Sequence, residues 1–540
     1  MCATEDSAAE PATTFRHRQA ILATLCLSVF LIVVDNTIVN VALPTLVREL
    51  GASTSQLQWI VDAYTLVFAG LLLPAGSLSD RLGRKGVLMT GLAWFGICSL
   101  LASRTDSAGT LIATRALMGV GAALIFPATL AILVNVFRDP RERARAIAIW
   151  AGVSGLSVAL GPVTGGFLLE HYSWGSIFFV NVPIVIAALG LVGVLVPTSR
   201  DPEAARFDPI GVLLSIAAIT LLVYTIIEAP DRGWTARASI IGFVGALVLV
   251  GVFGAWERHI ENPMLDVRIF THARFTTASL SISGAFFALF GFVFMVTQYF
   301  QFVRGYSTLS AGVHTVPFAV FTGVTAPISP KLVRRFGTNR VVSVGLLAMA
   351  GGFAIAAVTT ATAPYVVLVA AMLGMGGGLG LVTAPATDSI MGSLPREHAG
   401  VGSAVNDTTR ELGGTLGVAV VGSVFASLYS SQLADKLAGI PIPMSALDRA
   451  KESIGAAFVV AQRAPTPTGT AAIVDAARSA FMSGFHAGSL AAGAVAAATA
   501  VAAWFLLPAR ASEDELQPEA EPRVPEQQSF RSRRRPDRTH

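Results

Sequence analysis

Apolar residues gather in runs of about 20 along most of this chain, and short charged segments separate the runs. About 20 residues in a helix, at 1.5 Å each, cover the roughly 30 Å hydrocarbon core of a bilayer. The runs fall at 19–41, 57–76, 86–103, 109–135, 144–167, 175–196, 209–228, 237–256, 275–302, 309–328, 341–360, 364–388, 401–428 and 485–507. They predict about fourteen transmembrane helices. An even number places both termini on one side of the membrane.

Composition agrees. Of 540 residues 53% are hydrophobic and only 13% charged, against about 25% charged in a soluble protein. The fold class expected is therefore an all-α polytopic membrane protein. Residues 1–18 are polar and lack the apolar core of a removable signal, so the first run is expected to act as the insertion signal. The net charge of +4 does not point to nucleic acid. Three cysteines, Cys2, Cys26 and Cys98, cannot build a disulfide framework, and no His or Cys pair has metal-ligand spacing. No lysine follows a glycine, which excludes a phosphate-binding GK[ST] loop and an internal ATPase. The Gly374–Gly380 cluster lies inside an apolar run with no strand before it, and close helix packing accounts for it. No enzyme chemistry and no cofactor are expected.

The charges decide orientation. One set of loops carries Arg81, Arg84, Lys85, Arg138, Arg141, Arg143, Arg145, Arg200, Arg206, Arg258, Arg268, Arg274, Lys331, Arg334, Arg335 and Arg340; the opposite set carries only Arg48, Arg104, Arg232, Arg237 and Arg304. The positive-inside rule then puts both termini in the cytoplasm. Residues 429–484 are expected as an extracytoplasmic loop, since Pro441, Pro443, Pro465 and Pro467 oppose a continuous helix. The tail 508–540 turns acidic and ends in Arg531, Arg533, Arg534, Arg535 and Arg538. It reads as a disordered cytoplasmic tail, with docking on anionic lipid as the alternative.

Few polar groups interrupt the runs, and each has to be accounted for. Asp35 lies deep in the first run. A carboxylate there costs at least about 2.5–3.5 kcal/mol, so it either hydrogen-bonds a neighbouring helix or binds and releases a proton. Arg115, in the fourth run, cannot lose its charge and must face an acid, water or the bundle interior, unless it snorkels to the nearby interface. Asp62 follows Trp59 near the outer end of the second run and could face a cavity as a cation-attracting or proton-handling group. Gln298, Asp388, Arg410 and Glu411 are further polar groups for a cavity or gate, the last two as a gate or structural ion pair. His314 and His486 read as packing histidines.

Two strings carry more specific information. Residues 76–85, Gly-Ser-Leu-Ser-Asp-Arg-Leu-Gly-Arg-Lys, form a charged turn between two runs. There Gly76 would allow close helix approach, Gly83 a left-handed turn, and Arg81, Arg84 and Lys85 would stay cytoplasmic. Residues 161–166, Gly-Pro-Val-Thr-Gly-Gly, join small-residue packing at Gly161, Gly165 and Gly166 to a bend at Pro162. Leu332–Gly337 echoes Leu78–Gly83, the faint duplication expected of two halves related by an axis along the membrane normal.

The turn at 76–85 resembles the signature between the second and third helices of major facilitator superfamily transporters. The 161–166 string is similar to the antiporter motif of that superfamily's exporters. With Asp35–Pro44, Arg115–Ala123 and Gly402–Gly414 in register, the chain resembles a fourteen-span drug:proton antiporter over residues 19–507. The resemblance implies two six-helix bundles, 19–196 and 257–507, joined through 197–256 by two extra helices. It implies a multidrug efflux permease that exchanges inward protons for outward amphipathic, often cationic, substrates by alternating access. Asp35 and Arg115 would handle the proton. Asp80, with Arg81, Arg84 and Lys85, would form a charge latch closing the inner side. Arg334 stands where Asp80 stands in the echo, so that latch is not expected twice. The expected partners are the lipid bilayer, small substrates and protons, and nothing indicates a periplasmic adaptor. A dedicated exporter of one metabolite, lipid or antibiotic remains open, as does, with less support, a membrane sensor that does not transport.

Overall fold

The computed structural model describes residues 17–509 except 138, 200–207, 261–262, 264–266, 394–398, 439, 441 and 465. At 73, 77, 80, 140, 141, 144, 148, 151, 155, 159 and 399–404 it describes the backbone alone. The C-terminal basic cluster and residues 1–16 lie outside this set.

The first half runs α1 (Arg18–Leu50), α2 (Thr54–Leu82), α3 (Arg84–Ala102), α4 (Ala108–Val136), α5 (Pro140–His171), α6 (Ser176–Phe179) and α7 (Asn181–Leu195). A linking pair follows, α8 (Pro209–Arg232) and α9 (Arg237–His259). The second half comprises α10 (Ala273–Gln298), α11 (Thr308–Thr325), α12 (Ser329–Phe336), α13 (Thr338–Ala357), α14 (Tyr365–Met391), α15 (Ala399–Leu437), α16 (Met444–Glu452), α17 (Ile454–Gln462) and α18 (Pro467–Leu506). Among the described residues, eleven helices are long and apolar enough to cross a membrane, or thirteen if two bent pairs each count as one. The 29-residue α2 occupies the place of the second predicted span. Every predicted run falls on helix.

Local chemistry sets the boundaries. α1 ends where Gly51 adopts φ 65°, and Ser53 then caps α2, its hydroxyl accepting from the Gln56 amide while the Gln56 side chain accepts from the Ser53 amide. Gly83 turns the chain from α2 into α3 at φ 109°, a conformation that disfavours a side chain. α5 bends near residue 159, where Pro162 frees the carbonyl of Val158 from its helical hydrogen bond.

Residues 429–484 correct the sequence reading. The prolines do interrupt the helix, but the segments between them are helical: α15 runs on to Leu437, α16 and α17 follow, and α18 begins at Pro467. Ser453 and Thr466 supply side-chain caps for α17 and α18, so each short piece can start independently.

Within the first half α1 packs on α5, and α4 on α2 and α3; within the second α13 packs on α14 and α18, and α10 on α15. The halves meet along α2–α15 and α5–α11. α8 lies against both α2 and α15, burying Val223 and Ile227 against Leu66 and Ala419. α9 leaves Ile240, Ile241, Leu247 and Val248 exposed, as expected of a helix facing lipid.

Candidate functional site

At the middle of α1, Asp35 is fully buried, and so is Arg115 of α4. The Arg115 Nη1 donates to Asp35 Oδ2 at 2.6 Å, and its Nε donates to the Ile60 carbonyl of α2 at 3.1 Å. The guanidinium lies 4.2 Å from the centroid of the Tyr64 ring. Asn181 closes the other side: its Nδ2 donates to Asp35 Oδ1 at 2.7 Å and to Ser99 Oγ at 2.9 Å. Burial of two opposite charges costs several kcal/mol per ion, which close pairing and extra hydrogen bonds offset. Arg115 is therefore an internal residue and not an interfacial snorkelling one.

Asp62 is also fully buried, and neither carboxylate oxygen has a hydrogen-bond partner among the described residues. It lies on the α2 face that meets α15, between two bridges to the second half. Gln58, one turn before it, donates from Nε2 to the Ala419 carbonyl at 3.0 Å and to the Val418 carbonyl at 3.3 Å. Thr65, one turn after it, accepts at 2.9 Å from the hydroxyl of Thr415. An isolated charge in such a seam is prohibitively costly, so the seam as formed suits a neutral group.

The antiporter-like string lies at both contacts of α5. A Cβ on Gly165 would stand 2.6 Å from Ile38 Cγ1 of α1, and one on Gly161 would collide with the Thr37 hydroxyl. Gly166 faces the other half: a Cβ there would stand 2.5 Å from Leu309 Cα and 2.7 Å from the Thr308 carbonyl oxygen. Reciprocally, Gly312 of α11 abuts the Pro162 carbonyl. Small residues thus set helix contact within one half and across the seam.

Further hydrogen bonds between the halves join Thr297 to the Asn40 carbonyl at 2.8 Å, Gln301 to the Val41 carbonyl at 2.9 Å, and Thr308 to the Gly166 carbonyl at 3.2 Å. Thr54 donates to the Glu452 carbonyl at 2.7 Å. These bonds gather at the end of the bundle far from the chain termini, and that end is closed.

The remaining sequence candidates fall in several places. Gln298 bonds the Phe294 carbonyl of its own helix at 2.9 Å, and Gln301 makes the cross-half bond instead. Arg410 pairs with Asp407 at 3.8 Å and donates to Thr387 at 3.1 Å, so its ion pair is not with the adjacent Glu411. The i,i+3 spacing explains this, since neighbours in sequence point to different helix faces. Asp388 is exposed and is not brought to that cluster. A Cβ on Gly76 would meet only Pro127, at 3.8 Å, so no tight approach requires that glycine. In the 76–85 turn the side chain of Asp80 lies outside the described residues, Arg81 is exposed, Lys85 donates to the Gly193 carbonyl at 2.8 Å and the Arg84 amide donates to the Ser199 carbonyl at 2.9 Å. These last two bonds stay on the first-half side. His314 sits in an aromatic cluster with Tyr306 and Tyr365, and His486 bonds the Thr359 carbonyl at 2.7 Å, as packing residues do.

Asn181, Ser99, Tyr64 and Gln58 were not singled out by the sequence. Each is uncharged and sits in or beside an apolar run. A lone amide such as Asn181 or Gln58 in a run is the signal that could have found two of them.

The family model for the Major Facilitator Superfamily matches residues 25–418. "Multidrug efflux pump LfrA" of Mycolicibacterium smegmatis is 38% identical, with 88% of this chain and 94% of the relative covered. "Methyl viologen resistance protein SmvA" of Salmonella typhimurium is 36% identical over 88% of this chain and 95% of its own. "Tetracenomycin C resistance and export protein" of Streptomyces glaucescens is 32% identical over 95% and 96%. Among solved structures, a bacterial homologue of the human lysosomal transporter Spinster, inward-facing and unoccupied, aligns with TM-score 0.62 at 17% identity, over 92% of this chain and 99% of that one. Fold, sequence and site agree, and the chain belongs to the Major Facilitator Superfamily as a multi-pass membrane protein with the transporter fold.

Proposed function

We propose that this chain exports amphipathic, often cationic, compounds across the plasma (inner) membrane in exchange for protons. Both termini are cytoplasmic in this reading, so the closed end faces outward. The observation that carries the proposal is the sealed Asp35–Arg115–Asn181 constellation in the middle of α1. A carboxyl there can exist charged against Arg115 or neutral after taking a proton, and either form biases the two halves differently. Export of drugs is supported by relatives named for efflux and resistance that match nearly the whole chain.

Asp35 and Arg115 handle the proton, and Asp62 reports protonation to the α2–α15 seam. With Asp62 neutral the seam closes; ionised, it draws water in and the seam parts. Each entering proton supplies about 2.3 kcal/mol per 100 mV and about 1.4 kcal/mol per pH unit. One proton therefore supports roughly a hundredfold gradient of an uncharged substrate at 100 mV with a modest pH difference, whereas one-for-one exchange with a monovalent cation is electroneutral and driven by the pH difference alone. The charged turn at 76–85 closes the inner side in the opposite state. The chain needs no cofactor, only the proton gradient.

Resistance in a pump-deficient host tests the substrate class. Expression is expected to raise tolerance to methyl viologen, a quaternary ammonium detergent and an aromatic dye cation together. Tolerance to none of these, with export of a single antibiotic, would support the second reading, a dedicated exporter, which the tetracenomycin relative favours. A separate result is expected of Asp62→Asn. It keeps drug binding and holds the seam closed, so export slows about tenfold or more while the binding constant changes little. Export kinetics and equilibrium binding on the same preparation check this.

A further inference from the structure

Tyr64 shows a feature that packing does not require. Its side chain is fully buried, yet its hydroxyl has no hydrogen-bond partner among the described residues. Phenylalanine would fill the same space and stack equally on Arg115 without stranding a polar group. An unpaired buried hydroxyl at a candidate site calls for a role in another state.

Two more buried atoms, Arg115 Nη2 and Glu411 Oε2 on α15 of the second half, have no hydrogen-bond partner among the described residues. Tyr64 lies against Arg115 of the ion pair, and its neighbour Thr65 bonds Thr415 of α15 at 2.9 Å, one turn from Glu411. It therefore stands where the ion pair of one half approaches an acid of the other. The remaining charged groups nearby are Asp407 and Arg410, which pair with each other on α15, and Asp62, two residues before Tyr64 on α2.

We propose that Tyr64 is the positioning residue that couples the Asp35–Arg115 pair to Glu411, its hydroxyl donating a hydrogen bond to the Glu411 carboxylate when Asp35 takes up a proton. This rests on the proton role of Asp35. Protonation of Asp35 leaves Arg115 without a counter-charge, and Glu411 supplies one through the bridging phenol. No proton leaves the tyrosine. Glu411 so engaged is withdrawn from a cationic substrate, and uptake of the proton in one half releases cargo from the other. In the reverse direction, a cation on Glu411 frees Arg115 to hold ionised Asp35, and the proton departs.

The test uses the full chain purified in detergent, methyl viologen as probe, and two readouts, proton release in weak buffer and the thermal unfolding midpoint. Tyr64→Phe is expected to keep the midpoint or raise it, to bind methyl viologen, and to release about tenfold fewer protons per bound cation. Glu411→Gln should lose release similarly, and the double variant no more than either single one. Full release by Tyr64→Phe while Asp35→Asn releases none would overturn the coupling and leave the proposed function standing. Full release by Asp35→Asn would instead remove the proposed function beneath it. A lowered midpoint in Tyr64→Phe together with lost release would make the hydroxyl a structural one and also overturn the proposal.

Discussion

Asp35→Asn is expected to abolish proton-driven export in inverted membrane vesicles, reducing substrate uptake to the level of vesicles without the protein. Asparagine keeps the shape of the carboxyl and imitates its neutral form, so the variant stays in the state that the protonated acid selects. The charge left on Arg115 has a second consequence. Arg115 is buried with Asp35 as its ion-pair partner at 2.6 Å, and stranding one member of such a pair costs about 3–5 kcal/mol. Lower thermal stability in detergent is therefore expected as well, which by itself would also reduce transport. The double variant Asp35→Asn/Arg115→Met separates the two effects. Removing both charges should restore much of the stability and none of the pH-dependent export. Full pH-dependent export by Asp35→Asn would assign the proton elsewhere.

The second large effect is expected at Gly166, where α5 touches α11 backbone to backbone. A methyl group there has no flexible side chain to displace, only Leu309 Cα and the Thr308 carbonyl. Overpacking of this kind costs about 1–3 kcal/mol, and the strain is relieved whenever the halves separate at that end. Gly166→Ala should therefore shift the balance away from the state closed at that end by about 5- to 150-fold. Spin labels at the exposed positions Tyr172 and Met444, one on each half near that end, should move apart, with export slowed at unchanged expression. An unchanged distance distribution would mean that the α5–α11 contact stays closed through the cycle.

Asp35 and Arg115 were legible in the sequence because a charge inside an apolar run is expensive and stands out whatever it faces. Their partners were not. Asn181 and Tyr64 are polar without being charged, and an apolar run tolerates either with no site to serve. Which helix presents them depends on packing of α7 and α2 around α1 and α4, and periodicity within one run does not encode that. The same limit explains Asp388. Its acidity was readable, but the exposed face of α14 it occupies was not. The spans themselves were legible because run length alone decides them. The segment 429–484 was not, because its short helices α16 and α17 are held by packing on α15 and α18. Gly161, Gly165 and Gly166 were recognised as one string, yet only the structure divides them between a contact within one half and a contact across the seam.

The central claim is that a single carboxyl in α1 exchanges its proton for cargo, and proton release on drug binding measures this most directly. Adding methyl viologen to the purified chain in weakly buffered solution should liberate protons in proportion to the cation bound, and Asp35→Asn, given enough cation to reach the same occupancy, should liberate none. Equal release from both proteins would contradict the account.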